Sequence, residues 1–291
     1  ITNLTTDVLV IGAGIGGAFA ALKAREGGSN VLVVDKGRMG RTGCSVFTAG
    51  IMNAIIPGED DMDSSFWDTM ERSHYMVDPR RIKQHIQDIY PLILEMDRYG
   101  VPFERDSQRK FVRAGKGGPL KFRSVDIMEA MRKAVIAKGI KLLSRLCITG
   151  LIVENERVQG AVGFDMEKGD FHAIWARAVI LASGGCRYKG LAPGHRNCTG
   201  DGIAMAYRSG AIMCVEEYDN LSSIFISSCE TGPGMNVFVR HGAKFYNRRN
   251  EDLIEKYSYL LPTKVDINIL FPIFVLEVKL GNSPICMSLN H

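Results

Sequence analysis

The residues with the clearest chemistry lie near the start of the chain, in "DVLVIGAGIGGAFAAL", Asp7 to Leu22. Gly12, Gly14 and Gly17 interrupt this apolar run in the spacing GxGxxG. The first glycine of such a set permits a tight turn, the second lets a pyrophosphate approach the backbone, and the third lets a helix pack closely on the strands. The free amides of the following helix then face the anion with about half a positive charge. Further on, "VLVVD" closes on Asp35, a carboxylate placed to accept hydrogen bonds from a ribose hydroxyl pair. This is recognition chemistry for a dinucleotide, and Asp35 suits NAD and FAD equally.

The elements that must hold these groups follow from hydrophobic pattern. Asp7 to Ile11 reads as a buried parallel strand, Ala18 to Arg25 as a helix, and Val31 to Val34 as a second strand. "KGRMGRTGCSVFTAGIMNA", 36–54, is small, polar and glycine-rich, and reads as backbone lying along an elongated ligand. Asp60 to Asp68 reads as acidic and exposed. Pro79 to Tyr99 has helical spacing behind an Asp78 cap, with Pro91 as a point that breaks it into two pieces. Asp126 to Lys138 is a second amphipathic helix, stopped by Gly139. From Ile140 to Leu181 the period becomes that of strands, with turns at Asn155-Glu156 and Gly169-Asp170, so a β-meander is expected. Its last strand runs into Ala182-Ser183-Gly184.

Thr199-Gly200-Asp201-Gly202 opens a helix over Ile203 to Ser209, with Gly210 as its C-cap. On its own Asp201 reads better as a helix cap than as a ligand group. Beyond about residue 220 the texture changes to scattered glycines and prolines, an exposed helix over Asn250 to Leu261 and an uneven tail from Ile267. A domain boundary is placed there.

Composition bounds the function classes. A hydrophobic share of 46%, a charged share of 23% and a net charge of +4 describe a globular protein without the basic surface that nucleic acid requires. The basic stretch Arg105 to Arg123 reads as a solvated loop in preference to an anion contact. Seven cysteines (Cys44, Cys147, Cys186, Cys198, Cys214, Cys229, Cys286) make no CxxC pair and no metal-ligand spacing, and their odd count reads as reduced thiols inside a cell. No run reaches the ~20 apolar residues of a membrane span, so no direct membrane insertion is expected, and a cytoplasmic location is expected with docking to a membrane-bound partner left open. His195 and His241 read as structural or surface residues.

The ordered set "DVLVIGAGIGGAFAALKA", "VVDKG", "GCSVFTAGIMNA", "VDPRRIKQHIQDIYPLILEMDRYGVPFERD", "ARAVILASGG", "TGDGIAMAYRSGA", "GAKFYNRR" and "GNSPICMSLNH" resembles the flavoprotein subunits of the fumarate reductase/succinate dehydrogenase family. That family includes L-aspartate oxidase and the adenylylsulfate reductase flavoprotein. The resemblance implies an α/β fold: a Rossmann-like FAD-binding domain with a parallel sheet and β-meander over residues 1–220, and the start of an α+β capping domain over 221–291. It implies FAD as cofactor. Gly12, Ala13, Gly14, Ile15, Gly16 and Gly17 would hold the pyrophosphate, and Asp35 with the adjacent Lys36 the adenosine ribose region. Gly43, Cys44, Ser45, Thr48, Ala49 and Gly50 would pass near the pyrophosphate and flavin, Cys147 would lie by the adenine, and Ala182, Ser183 and Gly184 would line the cofactor. Asp201 would bind a ribityl or nearby hydroxyl, which reverses its reading as a cap.

Three departures qualify the resemblance. Membrane-complex members carry a histidine, covalently linked to the flavin, where this chain has Cys44, so non-covalent FAD beside a thiol is expected over a thioether. The family's "QFHPT"-like stretch corresponds to "EYDNLSS", Glu217 to Ser223, without a histidine, and its Thr-Glu pair to Cys229-Glu230. These argue against succinate or fumarate as substrate. The family's general-acid arginine falls past the end of this sequence, so a fragment is expected and no residue is assigned as catalytic; Glu230 and Arg240 are candidate substrate contacts. The implied function is an FAD-dependent oxidoreductase moving a hydride or electrons between a small substrate and FAD, with its electron-transfer partner an iron–sulfur subunit. Its alternatives are a non-catalytic FAD-binding module, an adenylylsulfate reductase-like flavoprotein and an NAD-dependent dehydrogenase.

Overall fold

In the computed structural model, which describes residues 1–48, 50–115, 118–123, 126–186, 197–214, 238–239, 241–262 and 265–288, the first apolar run forms strand β1 (Thr2–Ile11). The chain turns through the glycines into helix α1 (Ile15–Glu26) and returns as β2 (Val31–Asp35). A short 3-10 turn, Cys44–Phe47, precedes β3 (Ile51–Met52). Helices α2 (Met62–Arg72) and α3 (Pro79–Arg98) follow, then β4 (Leu120–Lys121), which pairs with β3, and α4 (Ile127–Ala137). Strands β5 (Lys141–Ser144), β6 (Leu146–Glu154), β7 (Arg157–Asp165) and β8 (Phe171–Leu181) lead to α5 (Asp201–Arg208). All of these belong to a unit spanning Ile1–Val215.

One six-stranded sheet organises this unit, in the order β5-β2-β1-β8-β7-β6. β5, β2, β1 and β8 run parallel, whereas β6, β7 and β8 form the expected antiparallel meander. The meander is thus continuous with the parallel sheet, because β8 serves both. The Asn155-Glu156 hairpin takes left-handed backbone at both residues, φ 51° and 60°, as a type I′ turn demands.

β1 and β2 read as unbroken apolar runs because both their faces are covered. Val10, Val31 and Val33 pack with Ala18, Ala21 and Leu22 of α1 and Met128, Met131 and Val135 of α4. Leu9, Ile11, Leu32 and Val34 face the other way, against Leu146, Ile148, Ala161, Ile174 and Met205 of α5. Each fully buried aliphatic side chain of this kind contributes about 1.5–3 kcal/mol. The strand ends, and with them the glycine turn, are thereby fixed.

One sequence reading in this unit is corrected. Pro91 does not divide α3. It sits on the exposed face, where water can serve the carbonyl of Gln87 that loses its donor, while Ile86, Ile93 and Met96 bury the opposite stripe. The acidic segment Asp60 to Asp68 is exposed at Asp61, Asp63 and Asp68, as expected, and is helical from Met62. Asp61 caps α2 by accepting from the Asp63 and Ser64 amides, and Asp60 meets Arg113 at 2.5 Å.

The second unit, Glu216–His291, contains β9 (Lys244–Tyr246), α6 (Leu253–Lys256), α7 (Ile267–Lys279) and β10 (Cys286–Ser288), with β9 and β10 antiparallel. Its core joins Phe245, Leu253, Tyr257, Ile267, Leu270, Ile273 and Phe274. The helix expected over Asn250 to Leu261 is only α6 followed by a 3-10 turn, Ser258–Leu260, because Asn250 takes φ 61° and Asp252 starts the helix as its cap. The tail expected to be uneven contains α7 instead. Its apolar residues lie on all sides and Pro272 sits inside it, so no amphipathic period marks it in the sequence. The expected boundary near residue 220 lies outside the described residues. No helix among the described residues is long and apolar enough to cross a membrane.

Candidate functional site

At the carboxyl ends of β1, β2 and β8, a cavity of about 390 Å³ opens in the first unit. The glycine turn forms one wall. Gly12 takes φ 107°, and a Cβ there would run into the Ala182 carbonyl. A Cβ on Gly17 would strike the Gly12 carbonyl oxygen, so this glycine seats α1 against the turn and stays behind the cavity. Gly14 is the N-cap of α1 and provides no capping side chain. The Ile15 amide instead donates to the Ser45 hydroxyl at 3.1 Å, an oxygen delivered by the loop after β2 to the point where an anion would sit. Gly16 has open space where a side chain would project.

Asp35 is held from two sides. Its Oδ2 accepts from the Ala13 amide at 2.7 Å and its Oδ1 from the Gly37 amide at 2.6 Å. Each oxygen keeps a further lone pair for a hydroxyl donor. Gly37 belongs to the 36–54 stretch expected to lie along the ligand, without a role of its own assigned from the sequence, and a Cβ there would meet the Thr42 hydroxyl and the Asp35 carboxylate. The signal available was only its position directly after the acid and lysine.

Across the cavity, Lys36 Nζ donates to Thr199 Oγ1 at 2.5 Å and to Asp201 Oδ2 at 2.7 Å, and the Thr199 hydroxyl donates to the same Oδ2 at 2.7 Å. Gly200, left-handed at φ 76°, is the N-cap of α5, so Asp201 is the first residue inside the helix and caps nothing through its side chain. Burial pushes the Asp201 carboxyl up, but the Lys36 and Thr199 hydrogen bonds outweigh it and hold the group below its ordinary value. Burial, with the nearby Asp201 charge, raises the Cys147 thiol, which lies on the same wall.

Of the expected residues, Gly12, Ala13, Gly14, Ile15, Gly16, Asp35, Lys36, Gly43, Cys44, Ser45, Cys147, Ala182, Ser183, Gly184 and Asp201 line this cavity. Thr48 and Gly50 are not among its lining residues; the Gly50 carbonyl accepts from Phe122 instead. Ala49, His195, Glu217 to Ser223, Cys229, Glu230 and Arg240 lie outside the described residues. His241 is exposed. Asn197, Cys198 and Met205 also line the cavity, although the sequence did not mark them as ligand residues. Only their closeness to the Asp201 turn hints at it. Three arginines of the basic stretch pair with carboxylates outside it: Arg105 meets Asp97 at 2.6 Å, Arg113 meets Asp60, and Arg123 meets Asp126. No group of three or more His, Cys, Asp or Glu residues arranged to hold a metal occurs among the described residues.

These residues fit the pyrophosphate and sugars of a dinucleotide: a side-chain-free turn, a helix N-terminus and a carboxylate with spare lone pairs converge on one elongated cleft. Comparison with known proteins agrees. Residues 7–221 match the model of the FAD binding domain family. The CoM/CoB fumarate reductase of Methanothermobacter marburgensis contains a chain that is 30% identical over 219 residues, which cover 70% of this protein and 40% of that one. The flavoprotein subunit of the 8-methylmenaquinol:fumarate reductase of Wolinella succinogenes is 30% identical, over 87% of this chain and 43% of that protein. The chain thus spans less than half the length of these two relatives. A solved E. coli quinol fumarate reductase shares the fold with a TM-score of 0.83 at 17% identity, over 100% of this chain and 54% of that one.

Proposed function

The chain belongs to the FAD binding domain family, whose model covers residues 7–221, and from that premise we propose that its cavity binds FAD in extended form. The pyrophosphate lies against Gly12 to Gly16 and the α1 amides, in place of the Ser45 hydroxyl contact with Ile15. Asp35 accepts from the adenosine ribose hydroxyls, Cys147 flanks the adenine side, and Asp201 accepts from a ribityl hydroxyl while Lys36 holds it ionised. The observation that carries this reading is the helix start at Ile15. Its amide is met by a side-chain hydroxyl from another loop, beside glycines whose missing side chains leave a 390 Å³ cleft.

The whole protein, on this reading, is an FAD-dependent oxidoreductase of the fumarate reductase/succinate dehydrogenase type, moving a hydride or electron pair between a small substrate and its cofactor. The relatives named above are parts of larger reductases, which supports an electron-transfer partner in the form of an iron–sulfur subunit. When bound, the flavin supplies the two-electron chemistry; the cavity residues bind and orient it. The test is the absorbance of the purified full-length protein. A yellow species that releases FAD on denaturation is expected, and a colourless protein that binds NADH overturns the reading. Assays with fumarate, succinate, aspartate and AMP plus sulfite then assign the substrate class.

A further inference from the structure

Two thiols meet at the rim of this cavity from parts of the chain 154 residues apart: Cys44 Sγ lies 3.3 Å from Cys198 Sγ. Cys44 begins the 3-10 turn after β2 and is exposed, whereas Cys198 precedes the Thr199–Asp201 turn and is buried, 7% accessible. A disulfide needs an S–S distance of about 2.05 Å, so the sulfurs must approach by about 1.2 Å, within reach of side-chain rotation. An exposed thiol beside a buried second thiol is the arrangement in which the exposed thiolate attacks an external disulfide and the other resolves the mixed disulfide.

We infer that Cys44 and Cys198 form a reversible dithiol/disulfide pair that ties the loop after β2 to the turn before α5 along the cavity wall. The oxidant is a small-molecule disulfide. The Cys44 thiolate attacks it, forming a mixed disulfide and releasing one thiol. The Cys198 thiolate then displaces the second thiol and leaves the internal S–S bond. Two protein thiols are oxidised, one external disulfide is reduced to two thiols, and the protons pass to the departing thiolates. The bond would lie next to contacts that already join the same two segments, since Lys36 reaches Thr199 and Asp201. Oxidation therefore adds a covalent bond to a connection that includes an ion pair and hydrogen bonds in the reduced protein.

Cys186 is the competing partner, because it bridges to Thr199, the neighbour of Cys198. The test uses the full-length protein, reduced, desalted and exposed to oxidised glutathione, with exchange quenched before digestion and mass analysis. The expected product joins the Cys44 peptide to the Cys198 peptide and reverses with dithiothreitol. Cys198→Ser should stop at a glutathione adduct on Cys44, and Cys44→Ser should leave Cys198 unmodified. Oxidised wild type should melt several degrees above its reduced form, because a cross-link over so long a loop restricts the unfolded chain most, while Cys44→Ser shows no such shift. A stable adduct on Cys44 in the wild type, a Cys186–Cys198 product, or an unreacted Cys44 overturns the inference. Where FAD is bound, the oxidised form should release it more slowly than the reduced form, an expectation that rests on the proposed function. A colourless protein that still forms the bond would sink the flavin reading and leave the thiol pair standing.

Discussion

Asp201 and Glu277 are both carboxylates held ionised by a lysine, and they do opposite work. Glu277, in the second unit, is inaccessible to solvent and accepts from Tyr257 Oη at 2.6 Å, Lys256 Nζ at 2.9 Å, and the Asn247 and Asn282 side-chain amides, each at 2.8 Å. Burial pushes its carboxyl up, but these four donors bring it down to about 2. Every lone pair it can use is taken. Asp201 is 40% exposed at the cavity, and its two side-chain donors, from Lys36 and Thr199, fall on the same oxygen. A saturated carboxylate is framework, whereas one with capacity left over at an open cleft is available to a ligand. Perturbed acidity alone does not separate them, since both are depressed.

The largest effect should come from breaking the saturated site. Glu277→Ala leaves Lys256, Tyr257 and two amides around a vacated buried position, and should destabilise the unit by about 3–5 kcal/mol in denaturant unfolding. Acid should act at the same place. Because the folded carboxyl titrates near 2 and its ordinary value is 4.5, its contribution is full above pH 4.5 and is lost as pH falls from there through 2. Acid titration of stability should show this loss in the wild type, and Glu277→Gln should flatten it. An unchanged acid profile in Glu277→Gln would remove Glu277 from the framework side of the comparison.

What the sequence revealed follows the same division. The glycine turn was legible because GxGxxG between a buried strand and a helix has one geometric use, and β1 because a strand covered on both faces must be apolar throughout. The Lys36–Asp201 contact spans 165 residues and leaves no periodic trace, so the local sequence favours a cap reading for Asp201, and only the fold puts Gly200 at the cap position instead. Asn197 and Cys198 reach the cavity through a turn that tertiary packing sets, which no local pattern encodes. The Glu277 network was invisible because its helix α7 hides its period behind apolar residues on every side. Its donors Asn247 and Tyr257 come from separate segments that only the fold unites.

A middle-sized effect should distinguish the glycines that build the turn from those that clear space. Gly17→Ala forces a methyl onto the Gly12 carbonyl and should cost about 1–3 kcal/mol of stability together with flavin retention. Gly16→Ala has nothing within 4 Å to strike, and it replaces a glycine inside a helix, so folding should be unchanged or gain up to about 1 kcal/mol. Any flavin loss in Gly16→Ala then reports a methyl projecting into the ligand's space. Equal destabilisation by both substitutions would show that packing alone requires these glycines.

Asp201→Asn should cost little stability, and it is the sharpest test of the comparison. The Lys36 and Asp201 side chains are 27% and 40% exposed, so solvent screens their pair and its loss should alter unfolding by no more than about 1 kcal/mol. Binding should respond differently. A hydrogen bond from a ligand hydroxyl to an ionised acceptor is worth about 1.5–3 kcal/mol, so replacing the carboxylate with an amide should weaken FAD by about tenfold or more, measured by equilibrium titration of the stripped protein. Lys36→Met should give a weaker version of the same phenotype, because it removes a donor that favours the Asp201 carboxylate without removing the acceptor. If Asp201→Asn instead destabilises the fold as strongly as Glu277→Ala and leaves FAD affinity unchanged, Asp201 is framework after all. The oxygen to which neither Lys36 nor Thr199 donates would then be an accident of the turn.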